Sequence, residues 1–369
     1  MNENNVLNVM VLFGGKSAEH EISILSARSV IGALRSQNYS IIPVGITRSG
    51  VWVTGERAEK ALEEGIVAEQ EGNTSVGFGK KHDAFSLIRA DGSSEPIHVD
   101  IVFPVLHGTF GEDGTLQGFL EMLEIPYVGD GVAASANGMD KSLIKDLWAK
   151  NGLPVLPCLT LRRIEVEKSP EACVERALAE VGVPCFVKPP NAGSSVGISK
   201  VSNREELLKA IREAARFDRK IMVEKACPSP RELEIGVVGN DEPACSVPGE
   251  ICYTSQFYDY KTKYEGEGDV RLLIPAPISE ELKARIAEIA KKAWRAADLN
   301  GLGRIDFLCS KDGELYLNEV NTLPGFTQFS MFPKLWEAAG VSYGELVKRL
   351  IELGFARYED RARNLVKPD

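Results

Sequence analysis

The chain has 369 residues, of which 44% are hydrophobic and 26% are charged, and its formal net charge is −10. This length predicts two or three domains of ordinary globular composition. The acidic balance argues against a general nucleic-acid binder or a protein held on an anionic membrane. No apolar stretch approaches a transmembrane helix. The seven cysteines form no CxxC pair, which predicts free thiols in a reducing cytoplasm.

Residues 1–129 alternate strand and helix patterns, which predicts an N-terminal α/β domain built on a parallel sheet. Strands are predicted at VLNVMVLF, YSIIPVGIT and IVFPVLHG, and helices at EISILSARSVIGALRSQ and TLQGFLEMLE. We interpret residues 54–100, which are rich in Gly, Glu, Ser and Lys, as surface hairpins and loops. The turn after the first strand, GGKSAEHE, matches neither the P-loop nor the GxGxxG dinucleotide pattern.

A second domain is predicted over residues 130–227 and a third over residues 228–369. The second contains one helix, NGMDKSLIKDLWAKNG, then a strand, glycine loop and strand in PCFVKPPNAGSSVGISKV, then the helix REELLKAIREAARF and the strand KIMVEKAC. The third contains the strands RELEIGVVGN and ACSVPGEICY, a long helix over 280–299, a hairpin, and the final helix SYGELVKRLIELGFA.

The hairpin GRIDFLCSKDGELYLNEVN carries the most specific polar pattern. If Asp312-Gly313 is a two-residue loop, Asp306 faces Glu319 and Arg304 faces Asn321, and all four side chains share one face of the sheet. Opposed carboxylates repel each other. A divalent cation such as Mg²⁺, which binds carboxylate and amide oxygens together with substrate phosphates, removes that repulsion. The alternative is an ordinary solvated hairpin face.

Two further features predict an anion site. The loop GSSVG, residues 193–197, allows backbone N–H groups to approach a phosphate closely, and Lys188 ends the strand before it. Lys141 stands near a helix start, where a cation opposes the helix dipole. The alternatives are a plain glycine turn and a solvated lysine.

His107 follows a predicted strand and precedes a glycine-rich turn, where open α/β sheets form ligand crevices. Glu21 opens the first helix, beside His20. FYDYKTKY, residues 257–264, has the composition of a lid loop. The alternatives are a satisfied loop histidine, a helix-capping carboxylate and an edge hairpin. Together with the metal face, these features predict phosphoryl transfer from a nucleotide, in which positioning and charge neutralisation dominate.

The motifs AEHEIS, HGTFGEDGTLQG, MDK, VKPPNAGSSVGIS, YDYKTKY, GRIDF and NEVNTLPGFTQFS occur in this order. Between about residues 9 and 350 the chain resembles the D-alanine–D-alanine ligase family of the ATP-grasp superfamily. The resemblance implies an ATP-grasp fold, a homodimer, and ATP with two Mg²⁺ ions, for which Mn²⁺ is an alternative. It also implies the reaction: ATP phosphorylates a first D-alanine, and the amine of a second attacks the acyl phosphate to give the dipeptide for peptidoglycan.

The resemblance also implies roles for individual residues. Those for ATP are Lys141, Lys188, Ser194, Ser195, Glu224, Lys225, Glu232 and Lys263. Those for the metals are Asp306, Glu319 and Asn321. Those for the D-alanines and the acyl transfer are Glu21, His107, Ser194, Tyr264, Arg304, Gly325, Ser330 and Met331. In this family, tyrosine at position 264 accompanies D-alanine as second substrate, and phenylalanine accompanies D-lactate.

Three departures from the family pattern are present: Met331 where leucine is common, ACPSPRE at the adenine hinge, and IPAP over residues 274–277. None of them alters the implied metal ligands. The alternatives are a ligase that uses D-lactate, D-serine or another amine or carboxylate, a nucleotide-binding regulator without catalysis, and a nicotinamide dehydrogenase. The dehydrogenase lacks its glycine fingerprint, and a regulator has no need of Arg304 together with Glu319.

Overall fold

The computed structural model describes residues 6–69, 75–78, 85–89, 91–193, 196–253 and 270–365. Within these ranges the chain forms three β-sheets with helices packed on them, which confirms the predicted α/β class. Four predicted site residues lie outside the described ranges, together with the predicted lid: Ser194, Ser195, Lys263 and Tyr264.

The first sheet has the strand order β6-β5-β4-β3-β2-β1-β7. Its strands are β1 (Asn8–Gly14), β2 (Ser40–Ile46), β3 (Trp52–Thr54), β4 (Ser75–Phe78), β5 (Phe85–Ile88), β6 (Ser94–Ile97) and β7 (Ile101–Pro104). β1 pairs in parallel with β2 and β7, whereas β2 to β6 form an antiparallel meander. The predicted parallel sheet is therefore present in three strands, and the hairpins predicted within residues 54–100 are present as β4 to β6.

The described part of this domain also contains the helices α1 (His20–Ser36), α2 (Glu56–Glu64) and α3 (Thr115–Met122). α1 buries Ile24, Ala27 and Ile31 at helical spacing against one face of the sheet, and α2 joins the same cluster. α3 packs in the cluster on the opposite face. Because β1 and β7 are parallel neighbours, the turns that follow them begin at the same sheet edge, where ligand crevices form.

The second sheet is antiparallel, with the order β10-β9-β11-β8. Its strands are β8 (Cys158–Arg162), β9 (Cys185–Lys188), β10 (Ser199–Val201) and β11 (Lys220–Lys225). Two helices, α4 (Val132–Met139) and α5 (Lys141–Lys150), lie between α3 and this sheet along the chain. The helices that pack on the sheet are α6 (Arg163–Lys168), α7 (Pro170–Glu180) and α8 (Arg204–Phe217).

The single helix predicted around MDK is interrupted at Asp140. Asp140 has an extended backbone and its carboxylate accepts from the N–H groups of Ser142 and Leu143, so it caps α5. Ile144 and Trp148 of α5 pack in the core of the third sheet. The start of the predicted second domain therefore lies on the third sheet.

The third sheet has the order β14-β13-β12-β15-β16. Its strands are β12 (Arg231–Gly239), β13 (Ala244–Tyr253), β14 (Val270–Leu273), β15 (Gly301–Cys309) and β16 (Leu315–Asn321), and the last helices are α9 (Glu280–Ala296), α10 (Met331–Ala338) and α11 (Tyr343–Ala362). α11 buries Leu346, Val347 and Leu350 in the core that contains α1. The end of the predicted third domain thus packs on the first.

The hairpin of β15 and β16 has the predicted register where the polar residues lie. Arg304 pairs with Asn321 and Asp306 with Glu319. The loop differs, because Ser310 and Glu314 close a three-residue turn in which Gly313 has φ +82°. A β-bulge after Asp306 offsets this difference by one residue.

Candidate active site

Three acidic residues form a row across adjacent strands of the third sheet. Glu234 of β12 pairs with Asp306 of β15, which pairs in turn with Glu319 of β16. Glu234 and Asp306 are buried, with 5% and 8% of their surface exposed. Such a row is costly without cations, because directly opposed like charges repel and buried carboxylates lose their hydration.

Arg304 supplies one of these cations. Its guanidinium donates two hydrogen bonds to Asp306, at 2.8 and 2.7 Å, and its Nε lies 2.9 Å from Glu234. Burial acts to lower the pKa of Arg304, but the charges of Asp306 and Glu234 outweigh it and hold the pKa above its ordinary value. Arg304 is therefore a permanent cation on the acidic row.

The donor set fits Mg²⁺ ions that are shared with a ligand. Asn321 Oδ1 is buried and has no hydrogen-bond partner in the described part of the chain, and Asn321 is the next outward-facing residue on β16 after Glu319. In the same part of the chain, no three His, Cys, Asp or Glu side chains form a ready metal cage. Mg²⁺ commonly uses one or two carboxylates plus substrate phosphates rather than such a cage.

Lys141 connects the acidic row to the glycine loop. Its ammonium lies 3.2 Å from Glu319 Oε2 and donates to the Ala192 carbonyl at 3.3 Å. Lys220 forms an ion pair with Asp140, the cap of α5, and so fixes the helix start that carries Lys141. Lys141, the start of the glycine loop and the acidic row therefore lie close together, as predicted.

Lys188 and Glu224 form a buried cluster with Lys145, a residue that the sequence analysis missed. Glu224 Oε2 lies 2.7 Å from Lys188 Nζ, and Glu224 Oε1 contacts Lys145 Nζ. Burial acts to raise the pKa of Glu224, but the two ammonium groups outweigh it and lower the pKa. The Glu224 carboxylate is therefore held by two lysines. Lys145 follows Lys141 at i,i+4, a spacing that places both on one helix face.

The other two residues expected at the nucleotide are placed as follows. Lys225 donates from Nζ to the Val183 carbonyl at 3.2 Å. Glu232 is half-buried on β12, two residues before Glu234. Lys225 ends β11 of the second sheet, and Glu232 lies near the start of β12, the first strand of the third sheet.

The turn AEHE contains two glutamates with different surroundings. Glu21 is half exposed, and both carboxylate oxygens accept from Arg48, at 2.7 and 2.9 Å. Burial acts to raise the pKa of Glu21, but its hydrogen bonds with Arg48 outweigh it and lower the pKa. Glu19 faces the site instead: its Oε2 would lie 3.7 and 3.8 Å from Cβ atoms added at Gly108 and Gly193.

His107 and His20 also differ in their surroundings. His107 is buried, and its Nδ1 donates to the carbonyl of Leu323, just after β16, at 3.0 Å. His20 is fully buried, with Nδ1 on the Gly15 carbonyl at 2.7 Å and Nε2 accepting from the Val67 N–H at 3.3 Å. His20 is therefore a structural residue, whereas His107 joins the first domain to the third.

Glu112, in the turn after His107, is a further titratable group that the sequence analysis did not single out. Its Oε2 accepts from the Gly108 N–H at 2.6 Å. Burial, together with the nearby charge of Glu19, raises the pKa of Glu112 to about 8. The turn therefore carries a carboxyl group that is protonated near neutral pH, beside a carboxylate.

This pKa gives a testable pH dependence of stability. Between about pH 4.5 and pH 8, folded Glu112 keeps a proton that the unfolded chain has lost, so its contribution to stability falls as pH rises. We expect Glu112→Gln to raise Tm relative to wild type at pH 8, and to raise it by less at pH 5. Thermal unfolding of both proteins across this range measures the difference; an offset that is independent of pH would contradict the raised pKa.

The loop after β16 carries the remaining predicted residues. Ser330 Oγ would lie 3.1 Å from a Cβ at Gly325, and it contacts Thr327 Oγ1 at 2.8 Å. A side chain at Gly325 would therefore press on Ser330. Met331 is buried, and its sulfur packs close to Gly249 of β13.

A cavity of about 340 Å³ lies beside this cluster, in the first domain. Its lining includes His107, Trp52, Phe110 and Phe119, and it is largely apolar. None of the acids of the row, nor the lysines that contact them, lines it. We place the site at the polar cluster, because phosphoryl chemistry requires charge neutralisation that this cavity does not offer.

No helix in the described ranges has both the length and the apolar character that crossing a bilayer requires.

Comparisons with known proteins point to one family. Two family models match: D-ala D-ala ligase N-terminus over residues 8–130 and D-ala D-ala ligase C-terminus over residues 147–352. A D-alanine–D-alanine ligase of Geobacillus thermodenitrificans is 48% identical over 356 residues, covering 96% of each chain. One of Heliobacterium modesticaldum is 48% identical over 358 residues, with the same coverage.

Solved structures are similar over nearly the whole chain. The D-alanine–D-alanine ligase of Coxiella burnetii has a TM-score of 0.82 at 34% identity, covering 97% of this chain and 96% of that one. The VanG D-Ala:D-Ser ligase of Enterococcus faecalis has a TM-score of 0.84 at 36% identity, covering 95% and 100%. These likenesses extend the agreement from sequence to fold.

Proposed function

The chain belongs to the D-alanine–D-alanine ligase family, and we propose that the polar cluster described above is where it joins two D-alanine molecules at the expense of ATP. The family is ATP-dependent and its product serves peptidoglycan synthesis. The observation that carries the proposal is the acidic row and its cations. Arg304 pairs with two of the acids, and Lys141 contacts the third while donating to the carbonyl just before the glycine loop.

Lys141 and Lys188 are the described candidates for holding ATP phosphates. Lys141 contacts Glu319 of the acidic row and the carbonyl of Ala192, just before the glycine loop. Lys188 ends β9, the strand before that loop. The three other phosphate candidates, which lie outside the described ranges, are Ser194, Ser195 and Lys263. Lys225 and Glu232 remain proposed nucleotide contacts. Because two lysines hold the Glu224 carboxylate, we propose that Glu224 contacts adenine through its backbone.

Asp306, Glu319 and Asn321 are the proposed ligands of two Mg²⁺ ions, with Mn²⁺ as an alternative. The orphaned Asn321 oxygen and the repulsion within the row support this assignment. Bound metal would neutralise charge on the phosphates of ATP during transfer. On the protein side, Lys141 would exchange its contact with Glu319 for one with phosphate.

In the proposed reaction, the carboxylate of the first D-alanine attacks the γ-phosphorus of ATP and ADP leaves. The amine of the second D-alanine then attacks the acyl carbon, the C–O bond to phosphate breaks, and phosphate and a proton are released with the dipeptide. Negative charge collects on the acyl oxygen in the second step. Arg304 and the Gly325 backbone N–H are the proposed donors that stabilise it.

Both D-alanine sites are proposed from side chains around this centre. Glu19, which faces the glycine loop, is better placed than Glu21 to bind the ammonium of the first D-alanine. His107 lies on the same side, and Tyr264 and Ser194 are proposed to complete it. Ser330 is proposed for the carboxylate of the second D-alanine, whereas the packing of Met331 suits a supporting role.

The choice between the two glutamates is testable with matched variants. We expect Glu19→Gln to raise KM for D-alanine by about 10- to 100-fold, because the ammonium then bonds to a neutral amide oxygen and no longer to a carboxylate. Glu21→Gln is expected to change KM little, since an exposed ion pair contributes only about 0–1 kcal/mol. Steady-state kinetics on both variants decide the assignment, and a large effect confined to Glu21→Gln would reverse it.

A D-alanine–D-serine product is the second candidate, favoured by the likeness to the Enterococcus faecalis ligase. Competition between D-alanine, D-serine and D-lactate for the second position, read as product masses, separates these cases. We expect the D-alanine dipeptide to dominate, since the curated relatives with the higher identities are D-alanine–D-alanine ligases.

We also propose that the protein acts as a homodimer in the cytoplasm without a nucleic-acid or membrane partner. The family resemblance supports the dimer, the net charge of −10 argues against nucleic acid, and seven free thiols suit a reducing compartment. Light scattering on the purified protein measures the assembly, and a monomer at assay concentration would contradict it.

A further inference from the structure

Lys145 is fully buried on α5 and has two partners. Its ammonium contacts Glu224 Oε1 and donates to the Leu317 carbonyl at 3.0 Å. Burial of a charged lysine is costly unless its ammonium is paired and hydrogen-bonded, and Lys145 meets that condition through these two partners. Its neighbour in this cluster is Lys188, a proposed phosphate ligand.

We propose that Lys145 is a positioning residue for nucleotide binding: it shares the Glu224 carboxylate with Lys188, and so leaves the Lys188 ammonium able to turn to a phosphate. This inference rests on the proposed function, because it assumes that the nucleotide binds at this cluster. Lys145 does not itself reach the ligand, since its side chain is entirely enclosed.

The charge count explains why two lysines are needed. Lys145, Lys188 and Glu224 together carry a net charge of +1, and the two oxygens of Glu224 are divided between the two ammonium groups. Without Lys145 the net charge is zero, and the whole carboxylate charge falls on Lys188. A phosphate would then compete with Glu224 for Lys188.

The geometry also ties this cluster to the metal strand. Leu317, whose carbonyl accepts from Lys145, lies on β16 two residues before Glu319. Glu224 lies on β11 of the second sheet and Lys145 on α5, whose first residue is Lys141. One buried ammonium thus joins α5, which carries a proposed phosphate ligand, and β16, which carries proposed metal ligands, to Glu224 on β11.

The test measures nucleotide affinity directly, by calorimetry with a non-hydrolysable Mg-ATP analogue and no D-alanine. We expect Lys145→Met to weaken binding by about 10- to 100-fold, the range typical of residues that orient a ligand-binding group. The double variant Lys145→Met/Glu224→Gln restores the net charge of +1, and we expect it to recover most of the lost affinity. Lys150→Met, at an exposed position of α5, serves as control.

A purely structural role for Lys145 predicts the opposite pattern. The double variant would then bind no better than Lys145→Met, and that result would overturn the inference, as would wild-type affinity in Lys145→Met. If Lys145→Met does not fold, Glu224→Gln, with a net charge of +2, is compared with the double variant. Charge sharing predicts similar affinities in that pair, because no carboxylate remains to be shared; a double variant that binds 10-fold or more weakly than Glu224→Gln would overturn the inference.

The failure of the proposed function is distinguishable from these outcomes. Wild-type protein that binds no nucleotide would overturn both proposals. Wild-type protein that binds nucleotide but forms no dipeptide would overturn the proposed reaction and leave the charge-sharing test intact.

Discussion

Glu319→Gln is expected to reduce turnover by about 10²- to 10⁴-fold while the protein stays folded. Glu319 is a proposed metal ligand, and a metal supplies several kcal/mol of charge stabilisation in phosphoryl transfer. The amide keeps the shape of the side chain. It also ends the repulsion from Asp306, which offsets the weakened contact with Lys141. ADP release in the presence of D-alanine measures the loss, and Tm checks the fold.

Glu314→Gln is the matched control, because Glu314 is an exposed acid in the same hairpin. We expect it to retain wild-type turnover. Titration with Mg²⁺ adds a second readout, since the loss in Glu319→Gln should come with a higher Mg²⁺ requirement. Full turnover in Glu319→Gln at ordinary Mg²⁺ would remove Glu319 from the metal site.

Arg304→Lys is expected to lower kcat by about 10²- to 10³-fold, the range measured when one donor to a developing oxyanion is removed. The charge is kept, but an ammonium cannot reproduce the planar fork that bonds Asp306 twice and reaches Glu234. KM for ATP should change much less than kcat, because the proposed role is in the acyl-transfer step.

Arg231→Lys provides the comparison for Arg304→Lys. Arg231 forms a similar two-bond pair with Glu250 in the same sheet, but away from the acidic row. We expect near-normal kcat in that variant. If both variants lose activity equally, the effect belongs to sheet stability and not to the acyl oxygen.

The hairpin illustrates how far a sequence can locate a site. The pairings of Asp306 with Glu319 and of Arg304 with Asn321 were predicted from a two-residue loop, and they are present. The actual turn has three residues, and the β-bulge after Asp306 compensates for the shift. A bulge has no simple local signal in a sequence. The predicted register is therefore correct partly because the longer turn and the bulge shift it by one residue in opposite directions.

Residues whose roles depend on packing were harder to find. Glu19 and Glu21 both fit the motif AEHE, and only the fold shows that Glu21 pairs with Arg48 while Glu19 faces Gly193. Lys145 reads as an ordinary helix lysine until Glu224, nearly 80 residues later, is placed beside it. Contacts between residues distant in sequence are invisible to periodicity and spacing.

The fold shows the same division. Strand and helix positions followed from hydrophobic periodicity over most of the described chain, including α1, α8 and β12. Within residues 54–100 the hairpins were predicted without their strand bounds, because the short strands alternate weakly in a polar stretch, and the helix α2 was missed. The break at Asp140 was missed because the apolar pattern runs through it, although an aspartate before a helix is a common cap.

The reaction itself is the most direct test of the proposed ligase activity. Purified protein with Mg-ATP is given D-alanine or L-alanine, released phosphate is measured, and the products are identified by mass. We expect phosphate release and an alanyl dipeptide with D-alanine, and neither with L-alanine. Nucleotide binding with no phosphate release and no dipeptide from D-alanine would contradict it.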